Sequence, residues 1–224
     1  SSAASDVYKR QAITLLYLQL RQRALTPAIA EARLQALQAR IRPHFLFNSI
    51  NAVLSIVRSD SKQAETALMD MADLFRVLMA DNRELVPLAQ ELALCRQYLA
   101  LEKLRLEHRL NLDWQIDNMP QDALIPPLIL QPLLENAVYH GIEPLADGGT
   151  ISIQLHSTRN ELHIQLRNPY QPGSTHHQGN RMALSNIRER LQLHFDVEAS
   201  LNIRQDNGHY AVHIIIPYRH RAAA

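Results

Sequence analysis

The sequence predicts an α+β protein, a helical N-terminal half followed by a mixed α/β layer. Two observations carry that prediction. Alanine, leucine, glutamine and arginine dominate the first half, where apolar residues recur at spacings of three and four. Beyond Leu110 the pattern changes to short alternating runs separated by Gly-, Pro- and Asn-containing turns. A chain of 224 residues with 46% apolar and 20% charged residues is long and apolar enough to bury one large core or two small ones. Its net charge of +1 lacks a basic stripe, so direct binding to nucleic acid is not indicated. The single cysteine, Cys95, excludes an internal disulfide and fits a reducing compartment. It falls in a helical stripe and reads as a small packed side chain.

Ser1 to Gln11 does not share the periodicity of the residues after it and reads as a non-native leader. Residues 12–25 open with nine mostly apolar residues, Ala12 to Leu20, followed by Arg21 and Arg23. Nine residues are too short to span a bilayer, which takes about 20. They read as the end of a clipped transmembrane helix leaving toward the cytoplasm, or as a linker helix. Thr26-Pro27 is a helix start, with Thr as cap and Pro at the first helical position. Leu34, Leu37 and Ile41 then form a stripe suited to a partner helix. Pro43 removes a backbone donor, so a kink is expected there. The pattern resumes through Phe47, Ile50, Val53, Leu54 and Val57.

Arg58 to Gln63 is a turn, and a second helix is expected over Ala64–Asp81 with Leu68, Met71, Ala72, Phe75 and Leu78 on its face. The two helices read as an antiparallel hairpin over residues 26–83. Residues 84–218 form the second domain, and 219–224 a tail. That domain opens with a helix over Leu88–His108, carrying Leu92, Cys95, Leu99 and Glu102 in one row. A strand comes next over Leu110–Asp117, then a loop with three prolines, then an apolar helix over Leu128–His140. Ile151–His156 and Leu162–Arg167 form a hairpin. Pro169–Asn180 reads as a long polar loop before a helix over Met182–His194. Leu201–Arg204 and Tyr210–Ile216 make a last hairpin turned by "DNG". About five strands with helices on one face are expected.

The stretch "RIRPHFLFNSINAV" places His44 at the expected kink, between apolar neighbours. Read alone, His44 is either a helix histidine packed beside Phe45 and Phe47 or a nucleophile presented to solvent. A neutral imidazole suits the second role, because its pKa of ~6.5 leaves much of it unprotonated at pH 7.

"RPHFLFNSIN", "VPLAQELALCRQYLALEKLR", "IPPLILQPLLEN" and "LQPLLENAVYHGI", in that order, closely resemble the LytS-type sensor histidine kinases. The resemblance runs from about Leu34 to Pro217. It implies a dimerisation and phosphotransfer hairpin, followed by a Bergerat-type (GHKL) α/β sandwich that binds ATP with Mg2+. It implies His44 as phosphoacceptor, with Phe45 where other histidine kinases often place an acid. Asn48, one helical turn on, orients His44 or positions a water for hydrolysis of phosphorylated regulator, or else simply bonds a neighbouring backbone group. Asn136 matches the asparagine that ligates magnesium, Glu135 adds charge near that metal or supports His44, and His140 contacts phosphate; read alone, these are polar residues at a helix end.

Departures from the family pattern gather at the nucleotide end. Asn168 stands where an aspartate usually accepts the adenine amino group, and Pro169-Tyr170 replaces a flexible turn. An amide oxygen still accepts. In "GNRMALSN", Gly179, Leu184 and Asn186 match the later glycine motif, while Arg181 and Ala183 replace glycines. Arg181 either fills that site or binds phosphate itself.

The resemblance implies a homodimer at the cytoplasmic side of a bacterial inner membrane, anchored by a preceding region and paired with a LytTR-type response regulator. The eroded motifs leave a second expectation, a pseudokinase that binds or dephosphorylates its regulator without efficient use of ATP. A water-activating glutamate four residues before Asn136, as in gyrase-type ATPases, is replaced by Pro132.

Overall fold

The computed structural model describes residues 14, 43–80, 84–116, 119–120, 122–171 and 177–219, with backbone only at 43 and 177–181. The expected leader, the clipped span, the Thr26-Pro27 start and the Leu34-Leu37-Ile41 stripe lie outside the described residues, as does the segment before Pro43 that would show a kink. Two compact units divide the chain, residues 1–47 and 48–224.

Helix α1 covers Pro43–Ile56. Its buried residues are Phe45, Ser49, Ala52 and Val53, while Phe47, Ile50, Leu54 and Val57 stay exposed. After a short turn, α2 runs Ser61–Met79 and starts three residues earlier than expected. Asp60 is the reason: its Oδ1 accepts the Gln63 N–H at 2.9 Å and caps the first turn. The expected face of α2 is also corrected. Ala64, Ala67, Met71, Leu74 and Leu78 are buried, whereas Leu68 and Ala72 are exposed and Phe75 half-buried. The two alanines present a flat strip, and the larger side chains beside it turn outward.

Helix α3, Leu88–Leu106, is buried on two sides. The expected row Leu92, Cys95, Leu99 and Glu102 is buried, and so is a second row of Glu91, Leu94, Tyr98 and Leu101. Two rows are needed because α3 packs on both α2 and the later helix α4. Burial pushes the Cys95 thiol well above its ordinary range, as expected of an inert packed side chain.

Strands β1, Val86–Pro87, and β3, Leu124–Ile125, pair as a short antiparallel ribbon that the sequence pattern does not announce. Two residues per strand are too few to alternate. Between them β2 runs Leu110–Gln115. Helix α4 covers Leu130–Asn136 and passes directly into a π-helical turn over Ala137–Ile142. One helix over Leu128–His140 was expected. It starts later because Leu128 sits at φ 57°, outside the helical region.

Strands β4 (Gly149–Ser157) and β5 (Glu161–Pro169), helix α5 (His177–Phe195), and strands β6 (Ser200–Asp206) and β7 (His209–Pro217) complete the fold. The sheet is five-stranded in the order β2-β4-β5-β7-β6, parallel only between β2 and β4. Ile151, Ile153, Leu155, Leu162, Ile164, Leu166, Val212, Ile214 and Ile216 fill one face, as alternation requires. Ser152, Gln154, His163, Gln165 and His213 alternate with them and remain half-buried. The last hairpin turns at Asn207 (φ 47°) and Gly208 (φ 74°), the left-handed pair that "DNG" predicts.

Candidate functional site

His44 lies in the first turn of α1 and is exposed. One and two turns on, the same face carries exposed Phe47 and Asn51, with half-buried Asn48 between them. The ring is therefore presented to solvent rather than packed, while its neighbour Phe45 is buried.

The second group of site residues is built on α4, β5 and α5. Asn136 ends α4 and is 7% exposed, whereas Glu135 is half-buried and accepts the Gln131 Nε2–H at 3.2 Å. The Glu143 N–H then bonds the Val138 carbonyl at 2.9 Å, five residues back, which widens the turn. His140 was expected on the Asn136 face through a regular i,i+4 step. Its ring meets that of Tyr139 edge-to-face at 4.9 Å.

Asn168, near the end of β5, is 4% exposed. Its Nδ2 donates to the Pro169 carbonyl at 2.7 Å, which leaves Oδ1 as the acceptor end of the amide. The π turn lies directly against it. A Cβ on Gly141 would meet Asn168 Nδ2 at 2.4 Å and the Pro169 carbonyl at 2.8 Å. Glycine at 141 is thus a close-approach requirement, and it joins the segment after Asn136 to the candidate adenine acceptor.

The later glycine motif is arranged differently from expectation. Residues 177–180 are helical rather than loop, so Gly179 falls inside the first turn of α5. Arg181 and Ala183, in place of glycines, favour that helix. The side chain of Arg181 lies outside the described residues. Asn186 is exposed on α5, beside buried Leu184 and Ile187. The structure therefore brings Gly141, just after the Asn136–His140 segment, against Asn168.

Three side chains that frame this segment, Glu91, Arg105 and Arg109, were not singled out from the sequence. Glu91, on α3, accepts the N–H groups of Leu128 at 3.0 Å and of Ile129 and Leu130 at 2.9 Å. Burial pushes its carboxyl above the ordinary carboxylate range, against the pull of those donors. Arg105 bridges Glu102 at 2.5 Å and Glu143 at 3.2 Å. Burial works against its charge, but the two carboxylates outweigh it and raise the guanidinium pKa. Arg109 donates to the Glu143 and Leu145 carbonyls, each at 2.8 Å. The only signal in the sequence was a pair of acids, Glu91 and Glu102, within the apolar rows of "ELALCRQYLALEKLR".

Magnesium bound with a nucleotide takes most of its ligands from phosphate and water. A single amide oxygen at Asn136 fits that need, and no acidic or histidine cluster able to hold a metal alone occurs among the described residues.

An α+β chain with a solvent-facing helix histidine and an asparagine-bearing helix docked on a mixed sheet has the parts of a histidine kinase core. A family model described as histidine kinase matches residues 32–110. The sensor protein LytS of Staphylococcus saprophyticus is 33% identical over 203 residues, covering 85% of this chain and 34% of that protein. LytS of Oceanobacillus iheyensis is 32% identical over 206 residues, covering 85% of this chain and 35% of that protein. The chain belongs to the LytS-type sensor histidine kinases. It spans about a third of the length of the curated relatives it matches. Among solved structures, the catalytic domain of histidine kinase ThkA aligns at TM-score 0.46 with 16% identity, over 60% of this chain and 96% of that one.

Proposed function

We propose that this region is the kinase part of a two-component sensor: it autophosphorylates on His44 from magnesium-bound ATP and passes the phosphoryl group to a LytTR-type response regulator. In the first step an unprotonated ring nitrogen of His44 bonds to the γ-phosphorus and the bond to the ADP oxygen breaks. The imidazolium so formed releases its N–H proton, and Phe45 supplies no adjacent base to take it. In the second step a regulator aspartate takes the phosphoryl group and the imidazole is restored.

Magnesium supplies charge neutralisation on the phosphates, and Asn136 is the residue that would hold it. Asn168 Oδ1 would accept the adenine amino group. The observation that carries this reading is Asn168 held against Gly141 with its amide oxygen still able to accept. On this reading the amide oxygen would take over the part of the lost aspartate as adenine acceptor. Incubating the purified chain with magnesium and γ-labelled ATP, beside His44→Gln, should label the wild type alone. No label, with no ATP binding by calorimetry, sinks the proposal.

One observation favours the pseudokinase reading: α5 begins at His177 and takes Gly179 into a helix, where the motif usually forms a phosphate-cradling loop. Under that reading, Asn48 would position water for dephosphorylation of the regulator, and ATP would bind poorly.

The exposed stripe of Phe47, Ile50, Leu54 and Val57 supports a homodimer through α1. Among the described residues, no helix is long and apolar enough to cross a membrane. Attachment at the cytoplasmic side of a bacterial inner membrane would come from the region before this one. The sequence blocks resemble AlgZ most within the family, and this is the basis for a LytTR-type partner.

A further inference from the structure

We propose that Glu91 is a positioning residue for nucleotide binding: its buried carboxylate on α3 holds the start of α4 and thereby sets where the Asn136 amide stands. The inference rests on the reading of Asn136 as the magnesium ligand.

The start of α4 cannot cap itself. Its flanking residue, Ile129, has no oxygen to offer the free N–H groups, and no side chain caps the helix locally. Pro126 and Pro127 precede it. Leu128 is held at φ 57°, a region that branched residues rarely occupy. Glu91 meets all of these needs at once. Oε2 accepts from Leu128, and Oε1 accepts from both Ile129 and Leu130. With the residue 2% exposed, water cannot take over those bonds when the carboxylate is removed.

The far end of the same segment is gripped from the same helix and the turn after it. Arg109 holds the carbonyls of Glu143 and Leu145, and Arg105 holds the Glu143 carboxylate. An anion at the N-terminal end and cations at the C-terminal end both suit the helix dipole. Asn136 lies between the two grips, so a slack N-terminal end lets α4 shift along or around its axis. A purely structural Glu91 would lower stability and leave the magnesium dependence of binding alone.

The test uses the whole chain as wild type, Glu91→Gln, Asn136→Ala, the double variant, and Leu155→Ala as a core-destabilised control remote in sequence from α4. Two quantities are read well below the lowest Tm: ATP affinity by calorimetry with magnesium or with EDTA, and amide hydrogen exchange without nucleotide. Glu91→Gln should lose tenfold or more of the magnesium-dependent affinity, and add no further loss on the Asn136→Ala background. Exchange should quicken from Leu128 through Asn136. Leu155→Ala should lose stability but keep its affinity. Should Glu91→Gln not fold, Glu91→Asp keeps the charge, shortens the reach and should lose affinity in the same sense.

Wild-type affinity and exchange in the Glu91 variants, or additive losses in the double variant, overturn the proposal. A wild type with no magnesium-dependent binding removes the Asn136 reading and the proposal with it. That outcome is recognised because Asn136→Ala then changes nothing.

Discussion

Helix α1 and helix α4 are both apolar, but they treat their apolar residues in opposite ways. Along α4, Leu130, Leu133 and Leu134 are buried, as are Ala137 and Val138 beyond it, covered by the chain's own sheet and helices. On α1, Phe47 is 65% and Leu54 63% exposed, with Ile50 and Val57 beside them. The sheet layer around α4 thus closes its core by itself, while α1 leaves an apolar stripe exposed. The proposed function calls for that division, since His44 would have to meet both an ATP site and a regulator.

The largest effect that would break this comparison is chemical. His44→Gln should reduce phosphoryl labelling to background and leave ATP affinity within twofold of wild type, because under the proposed function α1 would contribute the nucleophile and not the pocket. Next is the open stripe. Leu54→Glu should halve the mass measured by light scattering at micromolar concentration, with the Tm of the sheet layer unchanged. A dimer that survives this change would place the interface elsewhere.

On the closed side, Gly141→Ala forces a Cβ against Asn168 and should cost about 1–3 kcal/mol in stability. It should also weaken ATP binding at least tenfold, read by urea unfolding and calorimetry. The smallest effect concerns pH. Burial and the nearby His163 and His156 lower the pKa of His213, whose Nε2 lies 3.2 Å from His163 Nδ1. Glu161, 3.1 Å from His163 Nε2, is the carboxylate facing this row. Burial, Arg190 and Arg219 lower His194 in the same way. A lowered folded-state pKa contributes stability that is present above the unfolded value of ~6.5 and is lost as pH falls through the folded one. Tm should therefore drop between pH 7 and pH 5.5, and His213→Gln should reduce the drop.

Much of the site was legible because its residues sit in contiguous blocks. His44 falls in "RPHFLFNSIN" and Asn136 in "LLENAVYHG". Asn168 could be located by its place at the end of an alternating strand. The π turn was not legible, since "AVYHGI" fits a regular helix equally well and the packing of Gly141 against Asn168 is a tertiary contact. The face of α2 was misread for a related reason. Leu68 and Phe75 outrank Ala64 and Ala67 in hydrophobicity, yet the alanines are the residues that are buried.

The elements, their order and the residue types available for chemistry could be read along the chain, because backbone periodicity and turn preferences are local properties. Which rows were covered, and which acid became a clamp, depended on the folded arrangement. Glu91 bonds groups 37 to 39 residues away. Whether a buried carboxylate is tolerated depends on donors that only the folded chain brings to it.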